Sequence, residues 1–207
     1  MSSKDYFDDV ARRWDEMRGS FFSETVREVA LASAQLAPGE LAADLGAGTG
    51  FMTEALVRRR LKVIAVDQSE AMLEVLREKL SGAGEVECRV GEAERLPIPE
   101  AWVDHVFANM YLHHVERPAE AIREMARILK PGGKATITDL DEHEFRFLKD
   151  EQHDRWMGFR RDDVRRWLEE AGLSAVNVDC VGENCSATSA HGEGPASVSI
   201  FVAHAEK

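Results

Sequence analysis

Apolar residues along the chain follow two alternating periods. Within residues 5–17, Tyr6, Phe7, Val10, Trp14 and Met17 fall at helical spacing, and Gly19-Ser20 predicts the end of that helix. Residues 24–36 repeat the pattern with Val26, Val29, Ala30, Ala34 and Leu36, closed by Pro38-Gly39. From there, short apolar runs alternate with helical ones. Strands are predicted at 41–44, 61–66, 86–90, 103–108 and 134–138, and helices at 51–60, 69–81 and 119–130. Ser69 is placed to cap the second of these helices, with Glu70 and Glu74 near its positive end, and Pro131-Gly132-Gly133 stops the third. Alternation of this kind predicts an α/β fold, a parallel sheet with helices on both faces. A charged helical stretch at 142–154, a helix at 162–171 ending at Gly172, and strands at 175–181 and 197–204 complete the pattern. The Gly/Ser-rich segment 182–196 between those last strands reads as a loop. No repeat or linker divides the chain, so residues 1–207 read as a single domain.

Composition narrows the class. At 207 residues, 44% hydrophobic and 31% charged, the chain can bury one sizeable core and is too apolar for disorder. Asp and Glu outnumber Lys and Arg by 38 to 26, and a net charge of −12 disfavours nucleic acid and anionic membrane partners. The basic clusters 58–60, 160–161 and 165–166 read as solvated helix surface. Cys88, Cys180 and Cys185 show neither C-x-x-C nor finger spacing, so neither a disulfide scaffold nor a metal site is expected. Cys88 and Cys180 read as core residues and Cys185 as a loop residue. The acidic N-terminus lacks the apolar segment of a secretory signal, and no apolar run is long enough to cross a bilayer. A cytoplasmic protein is therefore expected.

The chemistry concentrates in Ala43-Asp44-Leu45-Gly46-Ala47-Gly48-Thr49-Gly50, between the first sheet strand and the following helix. Glycines there let the backbone turn sharply and approach a ligand closely. Seventeen residues past Gly50, at the end of the next strand, Asp67 is placed to accept hydrogen bonds from both hydroxyls of a ribose. Together these imply a nucleoside-containing cofactor. The dinucleotide pattern G-x-G-x-x-G needs its third glycine one position later, where Phe51 stands, and Asp44 would repel a pyrophosphate. Its charge suits a ligand that carries an ammonium group. A P-loop is excluded by the missing Lys-Ser/Thr pair.

From about residue 40 to 140 the chain resembles the class I S-adenosylmethionine-dependent methyltransferases. The resemblance is carried by Asp44-Leu45-Gly46-Ala47-Gly48-Thr49-Gly50, Val66-Asp67-Gln68-Ser69-Glu70-Ala71-Met72-Leu73 and Gly91-Glu92-Ala93-Glu94-Arg95-Leu96-Pro97. It continues through Asn109-Met110-Tyr111-Leu112-His113-His114-Val115 and Arg127-Ile128-Leu129-Lys130-Pro131-Gly132-Gly133. Its style is similar to the branch of quinone-biosynthesis and arsenite methyltransferases. Asp139-Leu140-Asp141-Glu142-His143-Glu144-Phe145, with Trp156-Met157-Gly158-Phe159, is similar to methyltransferase domains fused to metal-responsive repressors.

The resemblance implies a doubly wound, Rossmann-like, seven-stranded and mostly parallel sheet whose last strand is antiparallel. Residues 1–39 would form part of a lid, 40–140 the cofactor-binding core, and 141–207 the substrate-side helices and last two strands. It also implies roles. Asp44 would hold the methionyl amine; Gly46, Ala47, Gly48 and Gly50 would line the methionyl part; Asp67 would bind the ribose. Gln68, Met72, Glu92, Ala93 and Glu94 would surround the adenine, and Asn109 would face the sulfur and the acceptor.

The implied reaction moves a methyl group from S-adenosylmethionine to a small-molecule acceptor by in-line displacement, leaving S-adenosylhomocysteine. Such a reaction asks mainly for alignment, so a general base is optional. The base candidates are His113 and His114, which could instead shape the cofactor pocket. Tyr6, His143, Trp156 and Cys185 are the candidate acceptor contacts, with lid packing the other reading of Trp156 and an incidental thiol that of Cys185. Two further readings stand beside this one: a soft-acceptor enzyme methylating arsenite or a thiol with Cys185, and a non-catalytic module that only binds S-adenosylmethionine.

Overall fold

The computed structural model describes residues 3–189, 191–192 and 194–207. Seven strands form one sheet: β1 (Leu41–Leu45), β2 (Lys62–Asp67), β3 (Val86–Val90), β4 (Val103–Asn109), β5 (Leu129–Leu140), β6 (Ser174–Thr188) and β7 (Pro195–Glu206). Their order across the sheet is β3-β2-β1-β4-β5-β7-β6. The first five pair in parallel, and β7 runs antiparallel to both β5 and β6. The helices are α1 (Ser3–Val10), α2 (Trp14–Phe21), α3 (Thr25–Ser33), α4 (Phe51–Arg58), α5 (Glu70–Lys79), α6 (Pro118–Ile128), α7 (Arg146–Glu151) and α8 (Arg161–Glu170). The expected doubly wound sheet with an antiparallel last strand is present.

Helices cover both sheet faces, so the central strands are apolar on both. Along β2, Ile64 and Val66 pack with α6 and α8 residues such as Ile122, Met125 and Leu168. Val63 turns to the other face, to Leu31, Met52 and Leu56 of α3 and α4, and Ala65 meets Leu73 and Leu76 of α5. Local signals place the helix starts: Ser69 Oγ accepts from the Met72 backbone N–H at 3.1 Å, and α6 begins with Pro118.

Several expectations need correction. The first helix does not run unbroken to Met17: a 3-10 turn at Ala11–Arg13 separates α1 from α2, which passes Gly19-Ser20 and ends at Phe21. The charged stretch 142–154 is helical only over Arg146–Glu151, because the chain before it pairs with Phe159 and Met157 through backbone hydrogen bonds of Glu142 and His143. Pro131-Gly132-Gly133 does not stop α6, which already ends at Ile128, and falls inside the long β5. Most of the segment 182–196 is not loop. After an irregularity between Cys180 and Asn184, residues 184–188 pair with 195–199, putting Cys185 opposite Val198. Ala190 and Glu193 of that segment, like Met1 and Ser2, lie outside the described residues. The remaining cysteines also differ from expectation: Cys180 is exposed on the edge strand, and Cys88 is only half-buried.

Among the described residues no helix is long and apolar enough to cross a membrane. The strand order reverses between β1 and β4, and in open α/β sheets a crevice opens beyond the carboxyl ends of the strands at such a point.

Candidate functional site

A cavity of about 240 Å³ occupies that crevice. Its floor is the loop after β1. The N–H groups of Gly46 and Ala47 both donate to Val66 O, at 2.8 and 3.0 Å, folding the loop back onto the end of β2. Gly46 has φ +66°, and the Tyr111 ring lies 2.2 Å from where its Cβ would stand, so only glycine fits. Asp67 ties two loops together, accepting from Gly48 N–H (2.8 Å) and Ser69 N–H (2.9 Å). Each of its oxygens keeps a further lone pair for a ligand hydroxyl. Burial raises its pKa, and these backbone donors partly offset that.

Asp44 lies deeper, almost without solvent contact, and accepts from Thr53 Oγ1. Burial pushes its carboxyl up to about 7, with Thr53 pulling the other way. A carboxyl held there ionises when a cation arrives beside it. Gln68, Met72, Glu92, Ala93, Glu94 and Asn109 line the same cavity. Gly50 does not: it caps α4 at φ +95° with its missing Cβ facing Leu76.

The roof comes from α1 and α2, where Phe7, Trp14 and Arg18 line the cavity. Two side-chain bonds tie it down: Thr49 Oγ1 to Asp15 Oδ1 and Ser69 Oγ to Asp8 Oδ1, both 2.6 Å. The Arg18 guanidinium lies 4.0 Å from the Phe51 ring centroid. Sequence reasoning found Trp14 only as part of an apolar helix face and missed Arg18, whose pattern matches any solvated helix position.

A second cavity of about 60 Å³ adjoins the first, and Phe7, Trp14, Phe22, Met110 and His114 line both. Met110, at the junction, holds φ +51°, an uncommon conformation for a side chain-bearing residue, and donates its N–H to Thr138 O. Phe21, Leu140, Leu148 and Ala187 make most of the second cavity apolar, while Tyr6, Gln152, Cys185, His113, His114 and Asp154 supply its polar groups. The Tyr6 hydroxyl donates to Gln152 Oε1 at 3.2 Å.

His113 is buried, with Nδ1 2.6 Å from Asp139 Oδ1 and Nε2 3.8 Å from Asp154 Oδ1. Burial opposes its charge, but the two carboxylates outweigh that and push its pKa up to about 9. His114 Nδ1 also lies 3.8 Å from Asp154 Oδ1 and has no hydrogen-bond partner. Burial and the neighbouring His113 hold His114 neutral, its pKa well below the usual imidazole value. Burial lifts Asp154 to about 6, against the pull of His113. Burial also pushes the Cys185 thiol up to about 12, with Asp154 and Asp139 adding to the effect. At neutral pH this sulfur keeps its proton.

Of the remaining candidates, His143 and Trp156 line neither cavity. Trp156 Nε1 donates to Val115 O at 2.8 Å, and His143 Nδ1 accepts from Phe145 N–H. Both hold loops in place. Asp139 and Asp154 were not singled out by sequence reasoning. Asp139 had a signal, an acid at the carboxyl end of a sheet strand, whereas Asp154 had none.

Residues 43–137 match the family model described as a methyltransferase domain. The biotin biosynthesis bifunctional protein BioHC of Cellvibrio japonicus is 34% identical over 140 residues, 67% of this chain and 27% of that protein. A ubiquinone biosynthesis O-methyltransferase of Nitrosococcus oceani is 29% identical over 192 residues, covering 83% of this chain and 81% of its own. The chain spans between about a quarter and just over half the length of the first curated relatives it matches. Among solved structures, the cyclase SpnF superposes with a TM-score of 0.76 at 16% identity, over 100% of this chain and 97% of that one. The likeness to SpnF is one of fold, and fold alone does not assign the chemistry.

Proposed function

We propose that this chain, whose residues 43–137 match a methyltransferase domain model, is an S-adenosylmethionine-dependent enzyme that methylates a small, largely apolar acceptor bearing a hydroxyl or an activated carbon. The observation that carries this reading is the joining of the two cavities at Met110 and His114. One cavity has the groups for the cofactor, and the other is apolar with a polar end.

The first cavity fits its cofactor by charge and by shape. Asp44, Asp67, Glu92 and Glu94 line it, an acidic wall that suits a ligand with an ammonium and a sulfonium and opposes a phosphate. Asp44 would hold the ammonium, Asp67 the ribose hydroxyls, and the side-chain-free face of Gly46 and Gly48 would admit the methionyl chain. When bound, S-adenosylmethionine supplies a methyl group already activated on sulfur. The protein's share is then to align the acceptor and keep water out, for which Phe7, Trp14 and Phe22 supply the walls.

The protonated Cys185 thiol argues against a soft-acceptor enzyme, since a thiolate is what a thiophilic centre binds. The ubiquinone-pathway relative is named for O-methylation, the outcome a hydroxyl acceptor would give. A labelled-methyl screen of the purified protein tests the reading. Transfer to phenolic, quinol or enol acceptors is expected, and transfer to arsenite or thiols alone would overturn it.

A further inference from the structure

We propose that His113, His114 and Asp154 form a site for one divalent first-row transition metal ion at the polar end of the second cavity, with Asp139 orienting His113 from behind. The three donor atoms lie within 4.8 Å of one another. Asp154 Oδ1 is 3.8 Å from both His113 Nε2 and His114 Nδ1. Bonds of about 2.0–2.2 Å to one ion place donors roughly 3–4 Å apart, so these groups need move little.

The surrounding bonds fit the assignment. His113 Nδ1 faces Asp139 Oδ1, which leaves Nε2 pointing at Asp154, the carboxylate–imidazole arrangement that orients metal ligands. Asp139 is held in turn by the N–H groups of Tyr111, Leu112 and Leu140. An ordinary ion pair between His113 and the two acids would account for His113 but not for His114. The His114 Nδ1 atom is buried with no partner, and a native buried nitrogen in that state calls for a ligand.

Two imidazoles and a carboxylate, without the Cys185 sulfur among the donors, suit zinc, cobalt(II), nickel(II) or iron(II) better than copper(I). Three protein ligands leave a position open toward the apolar cavity, where an acceptor oxygen could bind and be polarised. That use rests on the function proposed above; the binding itself does not.

The test uses the untagged full chain, stripped with chelator and titrated with zinc by calorimetry and with cobalt(II) by visible absorption. One equivalent per chain is expected. Asp154→Asn and His114→Ala should each weaken it by more than ~100-fold, beyond what loss of an outer-shell partner costs. In the unaltered protein, zinc should shift the side-chain nitrogen resonances of His113 and His114 and leave those of His191 and His204 in place, a readout that needs no variant. Absence of saturable binding, or binding that survives both substitutions with no shift at His113 and His114, would overturn the site. S-adenosylhomocysteine binding is measured on the same samples. Its failure in the unaltered protein would overturn the methyltransferase reading and leave the metal result standing on its own.

Discussion

Asp44 sits near its own titration point, which makes it the most informative single residue. With its pKa raised to about 7 by burial, it is protonated below that pH and ionised above it. Asp67 is the neighbouring acid and Thr53 the donor to its carboxylate. A cationic ligand binds the ionised form, so affinity for S-adenosylhomocysteine should fall by about tenfold for each unit well below pH 7 and level off above it. A titration series showing flat affinity between about pH 5.5 and 7.5 would refute the ammonium contact. Asp67→Asn should weaken the same ligand by about 1–3 kcal/mol, read by calorimetry, because hydrogen bonds to a charged group are lost. Unchanged affinity would place the ribose elsewhere. These acids were legible in the sequence because their positions follow from local facts: a glycine turn, an adjoining strand end, a charge. Arg18 and Asp154 were not, since they reach the cavities from segments that nothing local ties to the sheet.

Elements with a strong local start signal came out within a few residues of their predicted limits. Ser69 and α5 are the clearest case. Ser69→Ala should cost about 1 kcal/mol, read from the denaturation midpoint, through the lost cap on α5. It also removes the bond to Asp8 that holds α1 down. Asp15→Ala cuts the other tether, to Thr49 and Lys79, and the partly exposed pair is worth no more than about 1 kcal/mol. Limited proteolysis should then cut α1 and α2 faster with the fold otherwise intact. Equal cleavage rates would show that the roof is held by Phe7 and Trp14 packing alone. The β6–β7 extension was illegible for a physical reason. Residues 184–188 are small and polar and become strand only because 195–199 lie opposite them, a partnership that no local window contains. The break between α1 and α2 is equally silent, since apolar residues keep helical spacing across it.

At the scale of the molecule, the doubly wound sheet explains where the site is and does not by itself assign an acceptor. The crevice at the β1/β4 reversal follows from topology, and the candidate cofactor residues collect there because β1, β2 and β4 all end at it. The second cavity is lined partly from outside the matched region, by α1, α2, α7 and β6, and partly from within it, by Met110, His113 and His114. The excess of acids now divides between the solvated surface and a few placed groups, with Asp44 and Asp67 facing the first cavity, Asp154 lining the second and Asp139 behind it against His113.

The central claim is that the Asp44–Asp67 cradle holds S-adenosylmethionine rather than a phosphate-bearing dinucleotide. Calorimetric titration of the untagged protein with S-adenosylhomocysteine and, separately, with NAD tests it most directly. One-to-one binding of the first, weakened by Asp67→Asn, and no heat from the second is the predicted result; saturable NAD binding with no response to S-adenosylhomocysteine would contradict the account.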